Sequence, residues 1–130
     1  MIATKSVYLP IKPRKDGLRI LVTRLRGRGL PASRYDVWMA NLGPSERLLA
    51  AGRSKRISLG EFVRYYRAEL REGGSIDRRN PLIKNHGQKF TLRLLQAIGR
   101  RGTVTLMCHC DEDQPHCHRH ILSKVLAGKV

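Results

Sequence analysis

The chain has 130 residues, 41% of them hydrophobic, enough to bury one core and too apolar for a disordered tail. No run approaches the roughly 20 apolar residues of a membrane-spanning helix. The opening MIATKSVYLPIKPRK lacks the apolar stretch and small-residue cleavage site of a secretion signal, so a cytoplasmic location and no membrane partner are expected. The formal net charge of +16 favours a polyanionic partner, a phosphorylated small molecule or a nucleic acid. The competing explanation is an Arg-rich surface whose charge only solvates the fold.

Residues 5–9 and 18–23 read as short β-runs joined by the turn-forming PRKDG. PASRYDVWMANLG (31–43) has helical spacing, with Tyr35, Trp38, Met39 and Leu42 on one face and Gly43-Pro44 as its end. SLGEFVRYYRAELREGG is the clearest helix. Ser58 and Glu61 make a capping box, Leu59, Phe62, Val63, Tyr66 and Leu70 line one face, and Gly73-Gly74 ends it. Residues 75–88 read as a basic surface loop. A helix from about Lys89 to Arg100 follows, then a sharp return at Gly102 into the buried strand TVTLMCH. Asp113 and Pro115 suit the start of a last helix running to about Leu126, with Ile121, Leu122 and Val125 inward. No repeat or linker divides the sequence. The expectation is a single α/β domain over residues 1–130, of three-layer type, with a small, mainly parallel sheet and about five helices.

CHCDEDQPHCHRH (108–120) holds all three cysteines and four of the five histidines. It spans the end of a strand, a loop and the start of a helix, where open α/β sheets place ligands. Three chemistries are compatible with it. Cys108 and Cys110 alternate on a strand, and Cys117 and His120 lie three apart on a helix, so together they would make a four-ligand zinc site. The one-residue gap between the first two is a poor clamp, since zinc sites favour two to four. Alternatively, Cys117 at a helix start, beside Arg119 and a protonated His118 or His120, becomes a reactive thiolate in an anion pocket. Cys108 would then be the second or resolving thiol, and Asp111, Glu112 and Asp113 would oppose the pocket unless the loop turns them outward. The third reading makes the cysteines core residues only, or a structural disulfide.

Arg24 and Arg28 follow a predicted strand and emerge near a sheet end. If Cys117 occupies that end, these two and Arg119 converge on one anion. The alternative pairs Arg24 with a carboxylate such as Asp36 or Glu69.

Several stretches resemble the YeaO-like family, a widespread bacterial and archaeal domain of unknown function. ILVTRLRGRG is similar to that family's strand pattern, with Arg24, Arg28 and Gly29 in matching places. Thr23 stands for an acid, and Arg26-Gly27 stand for Trp-Pro. Asp36, Trp38, Pro44, Ser45, Phe62, Tyr66, Glu69 and Leu70 match downstream features. Leu106, Met107, Cys108, Pro115, Cys117, His118 and Arg119 match the ending of thiol-bearing branches. Cys110 falls where related chains more often carry an acid. The resemblance implies an α/β fold and favours a pocket of Cys108, Cys117, His118 and Arg119 over a metal site that needs Cys110. It implies no particular reaction.

The expected site therefore has Cys117 as nucleophile or redox thiol, His118 as proton carrier and Arg119 as oxyanion or phosphate clamp, with Arg24 and Arg28 adding charge. One alternative is a basic nucleic-acid-binding domain without catalysis. Another is a zinc-stabilised structural protein using Cys108, Cys110, Cys117 and His120. No cofactor other than zinc is indicated.

Overall fold

The computed structural model describes residues 1–71 and 88–130. Among these residues, four strands form one all-parallel sheet in the order β1-β4-β2-β3: β1 Ile2–Ser6, β2 Leu18–Leu21, β3 Val37–Trp38 and β4 Val104–Cys108. Five α-helices among the described residues accompany it: α1 Pro13–Asp16, α2 Glu46–Arg53, α3 Leu59–Leu70, α4 Gln88–Arg101 and α5 His118–Ala127. The α/β class, the parallel sheet and the helix number are as expected. The loop expected at 75–88 and the Gly73-Gly74 stop fall almost wholly outside the described residues.

β4 is central, and every residue of it is buried. Strand alternation sends Val104 and Leu106 to one face, where they pack with Ile20, Val22, Leu42, Tyr66, Leu92 and Leu122 in the larger core. Met107 faces the other way into a smaller cluster with Val7, Leu21 and Leu30. The layers are therefore unequal. Helices α2 to α5 supply the first face, while the second is covered by one-turn α1 and the loop after β2. The Thr105 hydroxyl donates to the Asp16 carbonyl at 2.6 Å, and Lys5 pairs with the Asp16 carboxylate at 3.0 Å, fastening α1 to the second face.

Four elements differ from expectation. The first strand starts earlier, at Ile2, because its pairing with β4 runs from Ile2↔Val104 to Ser6↔Cys108. No α-helix forms over 31–43. A 3-10 turn at Ala32–Arg34, the edge strand β3 and a second 3-10 turn at Ala40–Leu42 replace it. Val37 and Trp38 pair with Ile20 and Leu21, the Trp38 indole N–H donates to the Thr23 carbonyl at 2.7 Å, and the Asp36 carboxylate accepts from Arg19. These non-local bonds outweigh the local helical spacing. Within that segment Leu42 is buried, whereas Trp38 lies 41% exposed.

α2 is a helix the sequence pattern did not suggest. Ser45 caps it by accepting from the Leu48 N–H at 3.2 Å, and Glu69 of α3 in turn accepts from the Ser45 N–H at 2.8 Å. α3 has the expected capping box of Ser58 and Glu61. The last helix begins at His118 rather than near Asp113, because residues 111–114 close a turn of their own, with the Gln114 N–H bonded to the Asp111 carbonyl at 3.1 Å. Cys117 is thus the N-cap residue, not part of the first turn.

Candidate thiol site

All four strands end on the same side of the sheet, and the site forms there. Cys108 is the last residue of β4 and has no exposed surface; Cys117, at the head of α5, is 3% exposed. Cys110 lies beyond the strand and is half-buried. The three sulfurs lie within 4.8 Å of one another, with Cys108 and Cys117 in contact at 2.6 Å. The expected gathering of thiols is present, and Cys110 is part of it.

Arg119 holds the cluster from below. It is wholly buried, and its guanidinium donates to Cys108 Sγ at 2.7 Å and to the carbonyls of Cys110, Asp111 and Glu112 at 3.4, 3.1 and 2.9 Å. The fork is therefore occupied by a thiol and a loop rather than turned to an incoming anion, which corrects its expected role as a phosphate clamp. The loop turns Asp111, Glu112 and Asp113 to the surface, and Glu112 accepts from the Ser6 N–H at 2.7 Å. The acids consequently do not face the thiols.

His118 is neutral. Burial pushes its pKa down, and its Nε2 sits 2.7 Å from the Val22 carbonyl, which can only accept. In the neutral ring the proton is thus on Nε2, and Nδ1 carries a lone pair 4.0 Å from Cys117 Sγ. Burial thus favours the neutral ring over the protonated His118 expected from sequence, and a neutral ring would present Nδ1 to the thiol as an acceptor. His120 turns away to the Gln114 carbonyl at 3.1 Å, so it is not the fourth partner of the three sulfurs.

The thiols titrate as a unit. Hydrogen bonds from Cys108 and then Cys117 pull the Cys110 thiol well down. The same bonds raise the other two: Cys108 chiefly through its bond to Cys110, and Cys117 chiefly through its bond to Cys108. Burial opposes the Arg119 charge, but the Cys108 hydrogen bond and the neighbouring thiols more than reverse this, and the guanidinium stays charged. The cluster suits one thiolate beside one buried cation.

Above the sulfurs lies a cavity of about 850 Å³. Leu49, Ile57, Leu59 and Phe62 give it an apolar wall, and Arg24, Arg53 and Lys55 add positive charge. Arg24 donates to the carbonyls of Pro44 and Gly43 at 3.1 and 2.8 Å, so it pairs with neither Asp36 nor Glu69. Arg28 is exposed and lies outside the cavity lining, and the expected convergence of three arginines does not form. Arg53, the last residue of α2, and Lys55, in the turn that follows it, take that place. Lys55 has a φ of 56°, the one positive φ of a non-glycine among the described residues. Such conformations collect at functional sites. That φ is invisible in sequence, where RSKR reads as one more basic stretch.

Opposite that turn, Gly27 has a φ of 90°, and a Cβ there would lie 2.8 Å from the His109 ring. Only glycine lets the loop after β2 close over His109 at the cavity edge.

Parallel strands ending beneath a cavity floored by three thiols, a neutral histidine and a buried arginine define a small α/β domain with a thiol site at its strand ends. The chain belongs to the DUF488 family, which includes the YeaO-like proteins: residues 2–129 match the DUF488-N3a model, described as the active DUF488-N3 subclade. No curated protein and no solved structure matches it. Among the described residues, no helix is long and apolar enough to cross a membrane.

Proposed function

We propose that this protein is an enzyme that uses a cysteine thiolate on a small anionic ligand. The gathering of three sulfurs at the floor of an 850 Å³ cavity carries this proposal. That volume falls in the range of about 300–1,000 Å³ typical of small-molecule sites. Arg24, Arg53 and Lys55 supply the attraction for a phosphate or carboxylate, and the apolar wall holds the remainder of the ligand. His118 Nδ1 is placed to accept a proton from Cys117. The description of the matching subclade as active agrees with chemistry at the site.

The test is alkylation by iodoacetamide across pH, with the modified cysteine identified by mass spectrometry. At pH 6 the folded protein should react about tenfold faster than a denatured control, because a free thiol of pKa about 8.5 is almost wholly protonated there. Equal rates would reject the proposal.

One further reading has an observation of its own. Three sulfurs this close also fit zinc, with His118 rather than His120 nearest to them, and the Nε2–H bond to Val22 is the kind of outer contact that orients a ligating histidine. Bound zinc would chiefly hold the loop to α5. A metal assay of the purified protein decides: about one zinc per chain, with melting lowered by chelation, supports it.

A further inference from the structure

We propose that the three sulfurs form a disulfide-exchange relay, in which Cys110 attacks a small acidic disulfide with an apolar body and Cys117 resolves the resulting mixed disulfide. The proposal rests on the thiol function above and not on the zinc alternative.

Exposure separates the roles. All three cysteines line the cavity, but Cys108 and Cys117 are 0% and 3% exposed whereas Cys110 is half-buried, so an entering molecule meets Cys110 first. This reverses the expectation that Cys117 is the attacking thiol. Resolution then needs a second thiol close to the new bond, and both others qualify by distance. Cys108 is poorly suited. It is separated from Cys110 by one residue, so a disulfide between them closes a small strained ring, and its sulfur is pinned by Arg119 at 2.7 Å. Cys117 reaches Cys110 across the 111–116 loop and has a base beside it in His118 Nδ1. Cys108 is then a positioning residue that keeps the Cys117 sulfur in place. The cavity adds selectivity: Ile57, Leu59 and Phe62 suit an apolar body, and Arg53 and Lys55 suit its carboxylates.

The chemistry balances. The Cys110 thiolate attacks one sulfur of R–S–S–R, a bond forms between them, the S–S bond breaks, and RS⁻ leaves. Cys117 then gives its proton to His118 Nδ1 as its sulfur attacks Cys110. The mixed disulfide breaks, and the second RS⁻ leaves and takes the proton from His118. Two protein thiols are oxidised to one disulfide, and the substrate disulfide is reduced to two thiols. Two molecules of a small thiol reverse the sequence and restore the protein.

The probe is 5,5′-dithiobis(2-nitrobenzoate), an aromatic disulfide with two carboxylates that releases a coloured thiolate at each exchange. Reduced native protein should release one equivalent in a step dependent on reagent concentration. A second should follow in a step independent of that concentration, leaving no adduct and a Cys110–Cys117 disulfide on peptide mapping. Cys117→Ser should stop after one release with the adduct on Cys110, and Cys110→Ser should lose the fast phase. A stable adduct on the unmutated protein, or first attack at Cys117 or Cys108, overturns the relay while leaving a reactive thiol in place. A native protein no faster than the denatured control removes the thiol function itself, and the relay with it. Should either variant fail to fold, the order of the two releases and the mapping on the unmutated chain decide alone.

Discussion

Arg119 and Cys108 are joined across 2.7 Å in the buried floor of the site, and the same guanidinium reaches three successive carbonyls of the loop between β4 and α5. One side chain thus couples the last helix, the central strand and the thiol cluster. Its worth is geometric as much as electrostatic, since only a planar fork meets acceptors in that many directions.

Removing it should be severe. Arg119→Ala strands buried carbonyls and a buried sulfur without a donor, and should cost about 3–5 kcal/mol. Arg119→Lys keeps the charge and loses the fork, and should cost less, about 1–3 kcal/mol. Urea denaturation of the two variants checks the order. A lysine variant as unstable as the alanine one would show that charge contributes little there. Thiol reactivity measured on the lysine variant should also fall, because the loop that carries Cys110 loses its tether.

Gly27→Ala tests the cavity edge. The substitution meets a left-handed φ of 90° and a ring atom of His109 at 2.8 Å, so the loop after β2 or the His109 ring must move. A loss of about 1–2 kcal/mol is expected, since alanine is strained there by both backbone and contact. Thermal melting measures it. Gly29 has a φ of 72° with nothing near its Cβ position, so Gly29→Ala carries the backbone strain alone and should cost less.

Much of this was legible in the sequence, and the parts that were not share a cause. α3 announces itself through Ser58, Glu61 and its apolar spacing, all local signals. β3 does not, because Val37 and Trp38 are extended by pairing with Ile20 and Leu21, residues far back in the chain. The helical spacing of Tyr35, Trp38, Met39 and Leu42 carries no trace of that pairing. At the site, crowding of cysteine and histidine into 108–120 showed where to look. Which thiol is the most exposed at the cavity floor depends on where the 111–114 turn places α5, and the cations come from Arg53 and Lys55 on other segments, indistinguishable beforehand among 26 basic residues.

A separate prediction concerns acid stability, on the far side of the sheet. Burial alone would raise the Asp16 carboxyl, but the Lys12 N–H at 2.8 Å and the Lys5 ammonium at 3.0 Å more than offset it and hold it below its usual 3.8. With the folded value depressed, the unfolded chain binds this proton more tightly. The stabilisation is therefore complete above about pH 4 and is lost as pH falls through the folded value. Asp16→Asn should cost roughly 2–3 kcal/mol at neutral pH and flatten this acid limb. A variant whose stability falls with pH as steeply as the unmutated protein would assign acid loss to other carboxylates.

The large positive charge leaves two kinds of anion to separate, and the cavity makes the separation sharp. On the proposed function a small anion enters beside Arg53 and Lys55, while a duplex would be confined to the outer surface. Inorganic pyrophosphate at low salt should slow alkylation of Cys110 several-fold, and the double variant Arg53→Ala, Lys55→Ala should abolish that protection with little effect on folding, since both side chains are exposed. Duplex DNA should not protect the thiol. Any retention of DNA should fall with salt on a log–log slope of about −0.9 per neutralised phosphate, and should respond equally to loss of Arg28, which lies outside the cavity. Protection by duplex that survives removal of Arg53 and Lys55 would move the function from the cavity to the basic surface, because a ligand that shields Cys110 without those cations must cover the mouth from outside.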